Sequence, residues 1–255
     1  MAKQNKGAQL EPRRAAHRSV RITRTIRENA KTVTIVLDAS LQSEPGQFAM
    51  LWIPGVDEKP FSISGDDPLS FTVSNVGPFS AILHGLKQGD SVWYRGPFGR
   101  GFSASPGRTL LVGGGYGCAP LLFLARTILR RDSGSSVEAA VGGRTSADIL
   151  FEERFNSLGL RTHIATEDGS MGARGLVTDV ARALIDEKRF DLLCSCGPEG
   201  MLDSLASISA EAGLHAELSF EAYMRCGIGI CGSCEHGGRL VCMDGPVRVF
   251  AGSGS

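Results

Sequence analysis

The chain has no excess of either charge: Lys+Arg and Asp+Glu stand at 27 each in 255 residues. Nothing in that balance argues for nucleic acid or a membrane surface as partner. No apolar run approaches the roughly 18 residues of a membrane span, and no apolar leader stands at the start. Both absences lead to the expectation of a cytoplasmic protein. The five histidines do not cluster, and no Ser/His/Asp or paired-carboxylate arrangement suggests hydrolysis. Cysteine is odd in number, at seven, which together with the missing leader weighs against a disulfide framework. What remains is an ordinary globular composition, 42% hydrophobic and 21% charged, long enough for two modest domains and a small appendage.

Four of the cysteines fall in one short run. Cys226, Cys231, Cys234 and Cys242 are spaced C-x4-C-x2-C-x7-C. This is the plant-ferredoxin spacing for a [2Fe–2S] cluster, with the fourth ligand arriving early. Glycines between the ligands let the main chain turn tightly and bring N–H groups near the sulfurs. A structural zinc site is the alternative, although zinc ribbons usually offer two C-x2-C knuckles and only Cys231 and Cys234 make one here.

Charge is uneven only at the start, where residues 1–24 carry Lys3, Lys6, Arg13, Arg14, Arg18, Arg21 and Arg24 against Glu11 alone. This segment reads either as a frayed tail entering a first strand or as a docking arm for an acidic partner. From about His17 to Ser103 the pattern is of short strands, at Lys31–Leu37, Gly46–Ile53, Phe61–Ser64, Leu69–Val76 and Ser91–Arg95. Gly, Pro and Asp turns separate them, as in a small antiparallel barrel.

After Pro106-Gly107 strands alternate with helices. Strands are expected at Thr109–Val112, Val137–Val141, Arg161–Ala165 and Leu192–Cys196, and helices at Pro120–Arg131, around Ala147–Leu158, at Leu176–Asp186 and at Gly200–Ala212. That alternation implies an open parallel sheet. Residues 216–255 are Gly- and Cys-rich and too short to hold a core without a metal staple.

Three motifs bear chemistry. Gly113–Gly117 stands between a strand and a helix, where main-chain N–H groups receive a pyrophosphate, and Gly114, Gly115 and Gly117 are the candidate contacts. The third glycine of a strict G-x-G-x-x-G is absent, Cys118 standing in its place, and a plain tight turn looks similar. Cys196-Gly197-Pro198 ends the fourth strand at the carboxyl edge of the sheet, where a thiol would lie over a nicotinamide; a buried small residue before a turn is the simpler alternative. Cys118 and Cys194 read as packing residues. Lys59-Pro60-Phe61-Ser62 offers a cation for phosphate, an aromatic face and a hydroxyl, a set suited to a flavin, or else a charged turn entering a strand with a core Phe.

These pieces, with G-P-F-G-R-G-F at Gly96–Phe102 and C-G-P-E-G-M-L at Cys196–Leu202, resemble the ferredoxin–NADP reductase superfamily. More narrowly, T-E-D-G-S-M-G at Thr166–Gly172 and the tail E-x-x-M-x-C-G-I-G-x-C-G-x-C…C-x-D-G-P resemble the electron-transfer subunits of NAD-dependent dihydroorotate dehydrogenases. The resemblance runs from about Ser19 to Phe250.

The resemblance implies a flavin-binding antiparallel β-barrel over residues 17–104, an open parallel α/β nucleotide-binding domain over 105–215 and a [2Fe–2S] module over 216–255. FAD contacts would fall on Lys59, Pro60, Phe61 and Ser62, on Thr72, Val73 and Ser74, and on Gly77, Phe79 and Ser80. The cluster ligands would be Cys226, Cys231, Cys234 and Cys242. Two positions depart from the family pattern: Lys59 replaces an arginine, giving up a bidentate phosphate fork, and Phe79 replaces a glycine beside the FAD pyrophosphate. The implied partner is an FMN-containing catalytic subunit that oxidises dihydroorotate, in a heterotetramer of two each. Electrons would cross singly to the [2Fe–2S] centre and on to FAD, which delivers hydride to NAD+ as substrate. Arg144 would meet a 2′-phosphate, but no second basic residue is near it in sequence, so NAD is favoured over NADP. Two rivals stand beside this reading. One is the nicotinamide-side subunit of a hydrogenase or ferredoxin–NAD(P) oxidoreductase; the other is a zinc-stabilised nucleotide-binding regulatory module without redox chemistry.

Overall fold

Residues 18–98 carry six strands that wrap into a closed antiparallel barrel in the computed structural model, which describes residues 16–252. Of the basic segment, Lys3, Lys6, Arg13 and Arg14 lie outside the described residues, while Arg18, Arg21 and Arg24 are exposed on the first strand. The strands are β1 (Arg18–Arg27), β2 (Thr32–Leu37), β3 (Phe48–Ile53), β4 (Asp57–Asp66), β5 (Leu69–Ser74) and β6 (Ser91–Phe98), in the order β1-β2-β5-β4-β3-β6. In β5 strict alternation sends Leu69, Phe71 and Val73 into the barrel, fully buried, and turns Ser70, Thr72 and Ser74 outward. Register shifts at Ile22/Arg24, Phe48/Met50 and Ile63/Gly65 bend the strands enough for the sheet to close.

Besides β1, a ten-residue strand not placed from the sequence, and shifts of one to three residues at other strand ends, two barrel elements differ from the sequence expectation. Strand β4 begins at Asp57, four residues before the expected Phe61, because Asp57–Pro60 pairs with β3 despite its turn-like composition. Its ladder with β5 starts only at Ile63, so residues 57–62 bond on one side alone, and Pro60 is tolerated on that free edge. The barrel wall is split there, between Lys59–Ser62 and Thr72–Ser74. Second, the Gly77-Pro78 step that reads as a turn opens a helix, α1 (Pro78–Gly85). Proline suits the first helical position because its missing N–H would have no helical partner there. Ser80 caps the helix: its hydroxyl accepts from the N–H groups of Val76 (3.0 Å) and Gly77 (2.9 Å). Ser80→Ala should therefore cost about 1 kcal/mol, seen as a lower urea midpoint; an unchanged midpoint would deny the cap.

The α/β part contains β7 (Arg108–Gly114), α2 (Cys118–Arg131), β8 (Ser136–Gly143), α3 (Glu152–Ser157), β9 (Arg161–Thr166), β10 (Ala173–Arg174), α4 (Val177–Glu187), β11 (Leu192–Cys196) and α5 (Glu199–Glu211). The helix expected around Ala147–Leu158 is two pieces, a 3-10 turn at Ser146–Asp148 and the short α3, interrupted before Phe151 at φ 65°. The remaining elements are β12 (Ala216–Ser219), β13 (Glu235–His236), β14 (Arg239–Leu240), α6 (Val241–Asp244) and β15 (Val247–Phe250). The sheet order is β10-β9-β8-β7-β11-β12-β15, parallel except for β12 with β15. Two strands from the 216–255 segment thus extend the sheet. The strand order reverses between β7 and β11, and a crevice opens at their carboxyl ends.

The cluster segment also borrows its core from the barrel. Met224, Val241, Cys234 and Cys242 pack on Phe48, Met50 and Phe98 of β3 and β6. Phe123 of α2 sits in the barrel core, so helix and barrel share packing.

Candidate functional site

The split in the barrel wall opens into a cavity of about 680 Å³ that meets the crevice of the sheet. Lys59, Pro60, Phe61 and Ser62 line one wall, with Thr72 and Ser74 beside them and Gly77, Phe79 and Ser80 at the start of α1. Gly117 and Cys196 line it from the α/β side. Val73 does not line it, because alternation turns its side chain into the barrel core. Most of the Phe79 side chain is buried in the barrel core beside Phe61, with ring centroids 6.1 Å apart. Lys59 Nζ lies 2.7 Å from Asp57 Oδ2 and 5.4 Å from the centre of the Tyr223 ring. A phosphate arriving here would share that cation with Asp57.

The Gly113–Gly117 turn serves packing as well as access. A Cβ on Gly114 would stand 2.8 Å from Pro198 Cδ, and one on Gly117 would collide with the Cys196 carbonyl. The two loop ends of β7 and β11 therefore approach as closely as bare main chain permits, and Gly197 and Pro198 belong to that contact rather than to the cavity lining. Gly115 alone has open space where a side chain would go. Burial pushes the Cys196 thiol up to about 12, assisted by nearby Glu221 and opposed by a hydrogen bond with Ser219. At neutral pH it is an uncharged thiol, not a nucleophile. Cys118 and Cys194 are fully buried, in keeping with packing roles.

Three lining residues, Tyr116, Glu221 and Ser64, were not singled out in the sequence. Tyr116 donates to Glu221 Oε2 at 3.4 Å across the crevice, and burial followed by that carboxylate raises its phenol above the ordinary range. Ser64 donates at 3.1 Å to Thr72, which was an expected contact, and continues the polar wall. Tyr116, Glu221 and Ser64 stand far apart in sequence, and the composite cavity brings them together. Arg144, exposed at the end of β8, shares its level with Arg174 of β10, because Gly143 pairs with Thr166 and Thr166 with Arg174.

The four cysteines of the short run form two pairs. Cys234 Sγ lies 3.2 Å from Cys242 Sγ, while Cys231 interacts with Cys226. Main-chain N–H groups aim at the sulfurs: Ile228, Ile230 and Cys231 at Cys226, Gly229 at Cys242, and Cys242 at Cys234, all at 3.2–3.5 Å. Such donors favour thiolates carrying negative charge. Hydrogen bonds from Ser233, then Cys226, lower Cys231 to about 6; burial, then Cys234, raises Cys242 to about 12. A metal centre would have to displace that last proton. Two sulfur pairs with amide donors suit a two-iron centre.

Known proteins resemble this chain over most of its length. Residues 111–207 match the oxidoreductase NAD-binding domain, and residues 221–252 match the iron–sulfur cluster binding domain of dihydroorotate dehydrogenase B. The probable dihydroorotate dehydrogenase B (NAD(+)) electron transfer subunit of Methanocaldococcus jannaschii is 41% identical over 229 residues, 89% of this chain and 87% of that protein. The chain belongs to the family of dihydroorotate dehydrogenase B electron transfer subunits. The Pyrococcus furiosus relative of the same name is 42% identical over 222 residues, covering 85% of this chain and 83% of its own length. Among solved structures, the NADH-dependent reduced ferredoxin-NADP oxidoreductase studied for flavin-based electron bifurcation superposes with TM-score 0.81 at 25% identity, over 90% of this chain and 87% of that one. A ferredoxin NADP+ reductase from Neisseria gonorrhoeae with bound FAD and NADP shares the fold, with TM-score 0.65 at 18% identity over 77% and 92%. As a member of this family the chain is an oxidoreductase subunit whose cofactors are FAD and an iron–sulfur cluster. No helix among the described residues is long and apolar enough to cross a membrane.

Proposed function

We propose that this subunit works in the cytoplasm with an FMN-containing catalytic subunit, two of each, carrying the electrons of dihydroorotate oxidation to NAD+. The observation that carries the reading is the single cavity formed by the barrel split, the crevice of the sheet and residues 219–224 of the cluster segment. FAD supplies the conversion between two-electron hydride chemistry and the one-electron traffic of a [2Fe–2S] centre. The chain's residues do the rest. Lys59 meets a phosphate, Ser62 offers a hydroxyl to the polar edge of the isoalloxazine, and Phe61 gives it an apolar wall. The N–H groups of Phe79 and Ser80 in the first turn of α1 serve the pyrophosphate. Tyr116, Cys196 and Glu221 shape the side from which a nicotinamide enters, and Cys196 stays protonated there.

The cluster ligands in this reading are Cys226, Cys231, Cys234 and Cys242. Cys231 is exposed and Ile230 beside it is 78% exposed, an apolar tip suited to contact with the catalytic subunit. NAD is the favoured nucleotide, and the ratio of NADH to NADPH oxidation rates tests it against the Arg144 and Arg174 pair. The likeness to the bifurcating oxidoreductase favours a second reading, a nicotinamide-side subunit of such a complex.

Co-purification with the catalytic subunit and dihydroorotate-dependent reduction of NAD+ by the complex tests the first reading. Recovery with a ferredoxin-linked or hydrogenase subunit would favour the second. Lys59→Ala is expected to weaken FAD retention about tenfold, the loss of one charge-assisted contact, with the cluster bands intact. Equal flavin occupancy in variant and parent would remove Lys59 from the FAD site.

A further inference from the structure

Arg95 on β6 is 7% exposed, and its guanidinium grips Glu58 of β4 with two bonds, Nε to Oε1 at 2.6 Å and Nη2 to Oε2 at 2.7 Å. The same Nη2 donates to the carbonyl of Cys226 at 2.7 Å, 131 residues away in sequence. His17 Nε2 reaches Glu58 Oε1 from the outside at 2.8 Å. Burial raises the Glu58 carboxyl, but the bonds to Arg95 and His17 outweigh it, so the group stays ionised at neutral pH. A buried ion pair is weak evidence for stability, since apolar residues of similar volume often serve as well. A full guanidinium held against the main chain of a cysteine in the cluster run calls for another explanation.

We propose that Arg95 and Glu58 are positioning residues that set the reduction potential of the cluster with opposite signs, Arg95 raising it and Glu58 restraining that rise. The inference rests on Cys226 being a cluster ligand. Reduction adds one electron, and so one negative charge, to the centre. A cation fixed beside a ligand residue favours the reduced form, and an anion disfavours it. Arg95 is the nearer of the two, in direct contact with Cys226, and Glu58 stands behind it. The pair thus acts as a partly cancelled charge whose halves can be removed one at a time.

The experiment is a potentiometric titration of the cluster, followed by electron paramagnetic resonance, on the full chain with FAD bound. It compares the parent with Arg95→Met, Arg95→Lys, Glu58→Gln and the Arg95→Met/Glu58→Gln double variant. Arg95→Met is expected to lower the reduced-to-oxidised ratio at a given ambient potential about tenfold, which is about 59 mV for one electron. Glu58→Gln should raise that ratio by a similar factor, the double variant should fall between the two, and Arg95→Lys should stay near the parent. Shifts of the same sign in both single variants, as a merely loosened loop would produce, overturn the proposal, as do unchanged potentials. Should Arg95→Met fail to hold iron, the sign for Glu58→Gln decides: a rise supports the proposal, and a fall or no change overturns it. Iron content of the parent is measured first. A parent without iron refutes the ligand assignment itself, a different failure from an iron-containing parent whose potential ignores both variants.

Discussion

Cys234→Ala is expected to abolish the iron–sulfur cluster and with it all electron exchange with the catalytic subunit. Cys234 is 3% exposed and lies 3.2 Å from Cys242, so its loss leaves one of the two sulfur pairs with a single thiol and one iron short of a ligand. Iron content and the visible bands of the cluster should vanish. The turns between Cys226 and Cys242 then have little to hold them and should be cut rapidly by protease. β15 should stay protected, because it is bonded into the sheet through β12. None of the four cysteines lines the cavity proposed for FAD, although Met224 of its wall packs with Cys234, so NADH should still reduce an artificial acceptor, while partner-coupled turnover falls at least about 100-fold. Full coupled turnover in the variant, or zinc in place of iron in the parent, would falsify the relay.

Gly117→Ala should have the second largest effect, on hydride exchange rather than on the cluster. A Cβ there would stand 2.6 Å from the Cys196 carbonyl carbon and 2.9 Å from the Gly197 nitrogen. Both are main-chain atoms that cannot swing aside, so the ends of β7 and β11 must part. Such overpacking costs about 1–3 kcal/mol. It also moves Tyr116 and Cys196, which line the cavity. A displacement of about 1 Å in a reacting geometry costs about 100-fold in rate, and NADH oxidation with an artificial acceptor should fall by that order while iron content is unchanged. Parent-like rates would mean that the nicotinamide does not enter beside this turn.

Much of the barrel was legible because it obeys local rules. Leu69–Ser74 alternates so strictly that its inner and outer faces follow from the sequence. Leu192–Cys196 has the bounds expected of a buried parallel strand. Elements that depend on distant partners were not legible. Asp57–Pro60 has the composition of a turn and becomes strand because β3 pairs with it. Pro78–Gly85 is too short for a helical period to stand out, and its Gly-Pro start imitates a turn. The strands at Ala216–Ser219 and Val247–Phe250 have four residues each and exist because the sheet edge is there to receive them.

The sequence alone supplied the candidate cluster ligands and their spacing, with zinc as the alternative, because four thiols within 17 residues are constrained by the chain itself. It also determined the order of a barrel followed by an α/β sheet, because periods of 2 and 3.6 are written locally. Only the tertiary structure decided which groups share the cavity. Lys59, Tyr116, Cys196 and Glu221 are brought together by the split between β4 and β5 and by the reversal of strand order between β7 and β11. The contact of Arg95 with Cys226 likewise spans 131 residues, and it follows from packing of the cluster loop on β3 and β6. Contacts at that separation depend on how sheets close and stack, and no local pattern encodes them.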